Sequence, residues 1–515
     1  MTREVIVVGG GTAGWIAAAY LAKRLNAGSP GGINLTVIES PDIPVIGVGE
    51  GSFPSLRKTL NVIGVDEADL VREANATFKQ GIRFSNWRAP DPSGSQHRYF
   101  HPFQVSDDHD GLDLLPYWLM GVAGDAPWAA VNTVQQAAAD ACLAPKLPAH
   151  PPFAGPLTYA YHFDAVLLGR LLRKRAVALG ARHIADTVTR VELAEDGSIA
   201  ALHCRDTGRV RADLYIDCTG FRAQLIGDAL GIPFHSRRNE LFVDRAVALQ
   251  VPHAEPDGPI ASQTFATAQD AGWIWDIGLH ERRGAGYVYS SSHIDDETAL
   301  RALRDYVGPA ADALEPRILQ FEAGYRQVQW HKNCVAIGLS SGFIEPLEAT
   351  GIGFAEIAAL MVVNLFPWAG DYEVSARQFN AIMVKRYDHV LDFIKLHYCL
   401  SDRTDSTFWI ENRDPASWSP ALRERLENWR HRAPDFMDVD LNHDIFLAAN
   451  WQYVLYGMGF ETDLSAQAGA FRFYDDARRT FADIRSQQAN ALQRLPSHRT
   501  LVQQVARPGF HFPVR

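Results

Sequence analysis

A lysine among aromatic residues and an acidic turn ahead of an apolar helix are the two stretches of this sequence best equipped for chemistry. The alternating run Phe78-Lys79-Gln80-Gly81-Ile82-Arg83-Phe84-Ser85-Asn86-Trp87 predicts one strand, and Tyr99-Phe100-His101-Pro102-Phe103 adds an aromatic wall soon after. A partly desolvated lysine is a usable nucleophile or proton donor, whereas the plain alternative for Lys79 is a snorkelling surface side chain. In Gly342-Phe343-Ile344-Glu345-Pro346-Leu347-Glu348-Ala349-Thr350-Gly351-Ile352, the residues Ala349-Thr350-Gly351 stand just before an apolar segment, Gly353 to Trp368, that reads as a buried helix. Backbone N–H groups at such a helix start favour an anion, with Glu348 beside them. The plain alternative makes Thr350 an N-cap and Glu348 a solvated acid.

Other elements must position these residues. Glu4-Val5-Ile6-Val7-Val8, then Gly9-Gly10-Gly11-Thr12-Ala13-Gly14, then Trp15 to Ala22 read as strand, glycine turn and helix. Gly9, Gly11 and Gly14 take the G-x-G-x-x-G positions, which allow a tight turn, close approach of a pyrophosphate and close helix–strand packing. A second strand, Leu35 to Ile38, ends in Glu39, placed for a ribose 2′-hydroxyl, so FAD or NAD is expected rather than NADP. Gly47-Val48-Gly49-Glu50-Gly51-Ser52 offers a second glycine-rich loop along an extended cofactor, and Leu214 to Gly220 a strand ending in small residues. Gly351-Ile352-Gly353 lacks a third glycine, and nothing else introduces a nicotinamide domain. FAD is therefore the expected cofactor.

Along the rest of the chain, residues 106–157 read as a long excursion over the surface or site mouth. Tyr161 to Leu179 reads as a helix with Arg170, Arg173, Lys174 and Arg175 on its wet side. Strands are expected at Thr187–Leu193 and Ile199–Cys204, joined by Asp196-Gly197, and at Arg245–Val251, Trp273–Leu279 and Tyr287–Ser291. Alternation puts the Trp273 and Trp275 indoles on one face, either as core aromatics or as a screen that keeps substrate from a flavin ring. A long helix is expected from Ser375 to Leu400, followed by a mainly helical C-terminal part.

The composition excludes several classes. A net charge of -11 and the absence of a Lys/Arg cluster argue against nucleic acid as a partner. The five cysteines are scattered without a C-x-x-C pair, so neither a metal site nor a disulfide framework is expected. No basic leader precedes the first strand, and no apolar run spans a bilayer. A cytoplasmic protein without membrane contact is expected.

Together, Gly9–Gly14, Lys79, Trp273-Ile274-Trp275 and Phe343–Gly351 resemble the flavin-dependent tryptophan halogenase family, in the right order, over Val5 to about Gly459. The family's Trp-x-Trp-x-Ile-Pro signature has Gly278 for proline, and its Phe-x-x-Pro-x-x-Ser-x-Gly motif has Ala349 for serine. The resemblance implies an α/β, FAD-binding three-layer Rossmann-like fold of the flavin monooxygenase type, with a mixed or antiparallel substrate sheet and a mainly helical C-terminal region. Residues 1–395 would form one module, with FAD segments at about 1–60, 160–235 and 325–370 interleaved with substrate-side segments at about 75–157 and 240–320. Residues 396–515 would form a helical substrate-side region.

The resemblance further implies that reduced FAD from a separate reductase, delivered as diffusible flavin, reacts with O2 and oxidises chloride or bromide to hypohalous acid. Gly9, Gly11, Thr12, Ala13, Gly14, Glu39, Gly49, Glu50, Leu339 and Ile352 would hold the cofactor, and Thr350 and Gly351 the halide. Lys79 would hydrogen-bond the oxidant or become a haloamine, and Glu348 would polarise the oxidant or take the ring proton. Trp273 and Trp275 would shield the flavin. His101, Phe103 and Trp451 would contact a flat aromatic substrate. The segment Asn450 to Gly459 lacks the Tyr-Tyr pair by which tryptophan-specific members hold the amino-acid end, so an indole-like substrate is expected over free tryptophan. A homodimer is compatible with this reading. The alternatives are a flavin-dependent aromatic hydroxylase and an inactive FAD-binding partner protein. Gly338-Leu339-Ser340, where hydroxylases usually carry Gly-Asp, disfavours the first, and retention of Lys79 and Glu348 disfavours the second.

Overall fold

The computed structural model describes residues 3–43, 47, 49–104 and 111–513. Val48 of the second glycine-rich loop and residues 106–110 of the expected surface excursion lie outside the described residues. The chain forms two compact units, one of residues 1–76, 163–237 and 321–387, the other of residues 77–162, 238–320 and 388–515.

The first unit is built on a six-stranded sheet in the order Trp330–His331, Cys334–Ala336, Leu214–Asp217, Arg3–Val8, Ile33–Glu39, Arg182–Ala185. Its neighbours pair in parallel except for the short outermost pair Trp330–His331 and Cys334–Ala336. Val8 lies beside both Ile38 and Asp217, and Asp217 beside Ala336, so the carboxyl ends of these strands come level. Such an edge, where the strand order reverses, is the ligand crevice of a doubly wound sheet. Ile6, Val8, Ile38, Tyr215, Leu225 and Ala336 fill one apolar face. Val5, Val7, Leu35 and Val37 are also buried, which explains the near-continuous apolar runs. The helices Thr12–Arg24, Ala165–Ala178 and Thr350–Asn364 pack together in this unit. A hairpin of Val188–Leu193 and Ile199–Cys204 turns at Asp196-Gly197, as expected; Gly197 has φ +76° and the Asp196 carboxylate accepts from Ser198 N–H at 2.8 Å.

The second unit carries a seven-stranded sheet in the order Arg317–Gln320, Arg245–Pro252, Arg282–Tyr289, Gly272–Gly278, Thr264–Gln269, Gly81–Ser85, Arg98–Pro102. It is antiparallel except for the Thr264–Gln269 and Gly81–Ser85 pair. Beyond the long helix Glu373–Cys399, the C-terminal residues are helical at Thr407–Asn412, Pro420–Trp429, Ala448–Gly457, Tyr474–Arg494 and His498–Ala506.

Several expectations need correction. The single strand over residues 78–87 is two: Thr77–Lys79 pairs with Ala160–Asp164, and Gly81–Ser85 joins the large sheet. Between them the Gln80 amide is fixed by Ser262, its backbone N–H donating to Ser262 O at 2.7 Å. Tyr161–Asp164 is therefore strand rather than helix, and the helix begins at Ala165, where the Asp164 side chain caps Val166 and Leu167 N–H. The expected excursion over 106–157 holds three short helices, Leu115–Leu119, Trp128–Asn132 and Gln135–Asp140, with Leu115, Trp128 and Val131 buried. Their partners are distant in sequence: Trp118 meets Tyr456 at 5.4 Å and Tyr117 meets Phe471 at 6.0 Å between ring centroids. The strand Thr264–Gln269 was not anticipated, and the apolar helix ends at Asn364, leaving Trp368 exposed.

Candidate active site

In the first unit, the glycine turn is shaped as a cradle. Gly9 has φ +112°, and a side chain there would meet Cys218 O at 2.1 Å, so the loop lies flat on the neighbouring strand end. A Cβ on Gly14 would be 2.0 Å from Gly9 O, which is the close helix packing this position needs. At Gly11 the same test meets no atom within 4 Å. Gly11 is the N-cap of Thr12–Arg24, and no side chain caps that helix, so its first N–H groups are open to a pyrophosphate. The Glu39 carboxylate lies against Gly10 Cα. Gly338, with φ +77°, comes so near Ala13 that a Cβ would be 2.7 Å from it, which brings Leu339 to the same loop. Thr12 Oγ1 is 3.4 Å from Ala165 O. Burial, with Asp164 nearby, pushes the Glu50 carboxyl up to about 7. An open Gly11, an uncapped helix start and an acid beside the turn fit the pyrophosphate and ribose of FAD.

The acidic turn belongs to the same unit. Pro346–Glu348 is one turn of 3₁₀ helix, and Ala349 follows in the left-handed region at φ 55°, ψ 37°. Ala349 is the N-cap of Thr350–Asn364 and no side chain caps it, so Thr350 is the first helical residue and its N-cap reading is overturned. The N–H groups of Thr350, Gly351 and Ile352 thus form an uncapped helix start, and a Cβ on Gly351 would meet nothing within 4 Å. Glu348 is only 1% exposed, which removes the solvated-acid reading as well.

In the second unit, Lys79 is 1% exposed, not a surface lysine. Its Nζ lies 5.2 Å from the centroid of the Phe103 ring, a cation–π distance. Lys79 pairs with Ala160 and Thr77 with His162 across the strands. Burial and the Lys79 charge hold the His162 imidazole well below its ordinary range, so the ammonium has a neutral neighbour. The strand itself is pinned by residues that the sequence did not suggest. Phe78 N–H donates to His498 Nε2 at 2.9 Å, and Thr77 Oγ1 donates to Gly278 O at 2.5 Å. Gly278, where the family signature has proline, packs so closely that a Cβ would be 2.6 Å from Ile260 Cγ2.

Trp273 and Trp275 do share a face of their strand, with ring centroids 6.4 Å apart at 61°. Trp275 faces Gly286 across the sheet, where any side chain would strike the indole at 2.1 Å. His101 is buried and its Nε2 accepts from Asn450 Nδ2 at 3.0 Å. Its ring lies 5.7 Å from Phe393, which lies 5.1 Å from Trp451. Trp451 is itself packed among His389, Trp429 and the Arg425 guanidinium. The structure thus joins Lys79 with Phe103, and His101 with Trp451 through Phe393. Gly9–Gly14, Glu39 and Leu339 gather in the other unit, which also carries Glu348, Thr350 and Gly351. One further residue, His183 on the strand Arg182–Ala185, has its Nε2 3.0 Å from Glu39 Oε2, and no alternation in that short strand signalled it.

A Rossmann-type sheet with a glycine cradle, in one chain with a second unit that carries a mixed sheet and, on a separate strand, a buried lysine, is the build of a flavin-dependent oxidoreductase. The chain matches the tryptophan halogenase family over residues 4–471 and belongs to it. It is 35% identical to the 7-chloro-L-tryptophan 6-halogenase KtzR of Kutzneria sp., over 96% of this chain and 98% of that protein. It is also 35% identical to the tryptophan 6-halogenase SttH of Streptomyces toxytricini, over 96% of each chain. The crystal structure of a tryptophan halogenase from Shewanella frigidimarina superposes with a TM-score of 0.94 at 40% identity, covering 99% of this chain and 98% of that one. The protein is accordingly an enzyme of the flavin-dependent halogenase class. Among the described residues, no helix is long and apolar enough to cross a membrane.

Proposed function

We propose that this enzyme halogenates an electron-rich, indole-like aromatic, using reduced FAD, O2 and chloride or bromide, with Lys79 presenting hypohalous acid to the ring. The observation that carries this reading is the Lys79 ammonium, 1% exposed and 5.2 Å from the Phe103 ring centroid. A buried ammonium is costly, and its hydrogen bond to a bound oxidant acts in a lower dielectric than water. When bound, reduced FAD supplies the two electrons that, with O2, carry halide to hypohalous acid. A separate reductase delivers it as diffusible flavin.

The remaining steps belong to the chain. The N–H groups of Thr350 and Gly351 hold halide at an uncapped helix start, where the helix dipole favours an anion. Lys79 donates to the hypohalous acid, and the ring attacks its halogen. The ring C–H proton and the departing hydroxide leave as water. Glu348, buried, polarises the oxidant or takes that proton. Trp273 and Trp275 keep the arene from the flavin, and His101, Phe103 and Trp451 hold it flat, so that orientation selects the carbon attacked. The named relatives act on tryptophan and 7-chloro-tryptophan, both of which carry the indole ring. The hydroxyls of Tyr453 and Tyr456 on the helix Ala448–Gly457 bond to Asn132 and Thr462, which supports an indole-like substrate over free tryptophan.

The test is an aromatic panel with bromide, O2 and enzymatically reduced FAD, read by the bromine isotope pattern. Brominated indole is expected, and Lys79→Ala should lower its formation at least ~100-fold while FADH2 oxidation continues. Bromination that survives Lys79→Ala, or hydroxylated product formed without halide, would overturn the mechanism. Tryptophan outperforming indole would overturn the substrate preference alone.

A further inference from the structure

One histidine of the second unit shares a sheet face with Lys79. Thr77–Lys79 and Ala160–Asp164 run antiparallel, with Thr77 opposite His162, Phe78 opposite Tyr161 and Lys79 opposite Ala160. Opposed residues lie on one face and alternate residues repeat it, so Lys79, Ala160, Thr77 and His162 share one face and Phe78 and Tyr161 the other. His162 is thus the diagonal neighbour of Lys79, at a separation of about 7–8 Å between strand positions that long side chains bridge. Ala160 carries only a methyl there, and the Thr77 hydroxyl donates to Gly278 O at 2.5 Å. His162 is fully buried and its Nε2 stands 2.8 Å from Thr264 Oγ1. Its Nδ1 has no hydrogen-bond partner among the described residues. The ring is neutral, because burial, the Lys79 charge and His498 all oppose a second proton. A buried ring nitrogen without a partner is costly, so one placed beside a reactive ammonium calls for a role.

We infer that His162 is a positioning residue for Lys79: its Nδ1 accepts from the Lys79 ammonium through one bridging water, while its Nε2–H donates to Thr264 Oγ1. This rests on the reading of Lys79 given above. An ammonium carries three N–H donors and no acceptor. A proton on Nδ1 would face that charge unfavourably and a lone pair favourably, which selects the tautomer with its proton on Nε2. The span between diagonal strand positions suits a water that joins a donor to an acceptor. With one N–H tied in this way and the Phe103 ring 5.2 Å from Nζ, the ammonium is oriented before the hypohalous acid arrives.

The test compares brominated product formed per FADH2 oxidised in two variants. An asparagine carbonyl oxygen stands as far from Cβ as Nδ1 does, and a glutamine amide nitrogen as far as Nε2 does. His162→Gln keeps the bond to Thr264 and loses the Nδ1 acceptor, so the yield should fall about tenfold, the scale of one hydrogen bond to a charged group. His162→Asn keeps the acceptor and should stay within about threefold of wild type. A role confined to the Thr264 bond would give the reverse order. Nitrogen NMR of histidine-labelled wild type, with the His162 signals identified by their loss in either variant, should place the ring proton on Nε2, and it decides the matter where one variant fails to fold. An unchanged yield in His162→Gln, an equal loss in both variants, the reverse order, or a proton on Nδ1 would each overturn the inference. A wild-type chain that brominates no arene of the panel, or Lys79→Ala that brominates as well as wild type, would instead sink the reading of Lys79 on which it rests.

Discussion

Glu356 is an acid that the proposed reaction leaves unused, and its setting has a measurable consequence. It stands in the second turn of Thr350–Asn364, 5% exposed, with Oε2 accepting from Ser55 Oγ at 2.9 Å. Its other oxygen has no hydrogen-bond partner among the described residues. Burial pushes this carboxyl up to about 7, outweighing the hydrogen bonds from Thr59 and Ser55. The sign follows from proton binding. An unfolded glutamate releases its proton near 4.5 and the folded one near 7, so between those values the unfolded state binds fewer protons and stability falls as pH rises. Above about 7 the folded protein carries the whole cost of an ionised, buried group, on the order of 3 kcal/mol. Glu356→Gln should therefore be more stable than wild type by about that much at pH 8 and by less than ~1 kcal/mol at pH 5, the difference vanishing only below the unfolded value of 4.5. Urea unfolding at the two pH values checks it. A difference independent of pH would mean that the carboxyl titrates normally.

At the level of elements, the two glycines of the nucleotide turn separate folding from binding. Gly11 is extended, at φ -72° and ψ 177°, with open space where a Cβ would stand, so Gly11→Ala should melt within a few degrees of wild type. Its methyl would intrude where a pyrophosphate approaches, and FAD affinity should fall at least ~10-fold. Gly14→Ala instead drives a methyl into Gly9 O and should lower the melting temperature as well. Thermal unfolding and flavin fluorescence on both variants read the two effects, and a Gly11→Ala variant that binds FAD normally would rule the turn out as the cradle. This turn was legible in the sequence because strand, glycines and helix are consecutive and each uses local chemistry. The strand Ala160–Asp164 was not, since its apolar residues continue into those of the helix and it becomes a strand through pairing with segments distant in sequence, Thr77–Lys79 among them. Asp164 just ahead of the apolar period was the cap signal that marked the true helix start. Likewise the short helices between Leu115 and Asp140 owe their burial to partners near residues 456 and 471, which no local pattern announces.

For the whole molecule, the same limit appears as connectivity. The chain changes unit after residues 76, 162, 237, 320 and 387, so each unit is assembled from three separated segments. Lys79 was legible as a candidate from its aromatic neighbours, but its burial depends on segments hundreds of residues away. His498 shows this most directly. It is fully buried, its Nε2 accepts from Phe78 N–H at 2.9 Å, 420 residues earlier, and its Nδ1 lies 3.1 Å from Ile260 O. One side chain near the C-terminal end thus ties the backbone beside Lys79 to another segment of the same unit. Burial lowers the His498 imidazole to about 4, so it stays neutral at working pH and Nε2 keeps its acceptor lone pair. His498→Ala leaves the Phe78 N–H buried without this acceptor and opens a space beside the Phe78 ring, which stands 6.0 Å from the imidazole. A cost of about 2–4 kcal/mol in the stability of the second unit is expected from those two losses. A strand displaced by even a fraction of an ångström moves the Lys79 ammonium away from its bound oxidant, so halogenation should fall ~10- to 100-fold. The glycine cradle belongs to the other unit, and FAD affinity should therefore stay within about twofold of wild type. Flavin fluorescence together with a bromination assay decides the matter: loss of both functions would show that His498 supports the whole chain, and loss of neither that Lys79 is positioned without it.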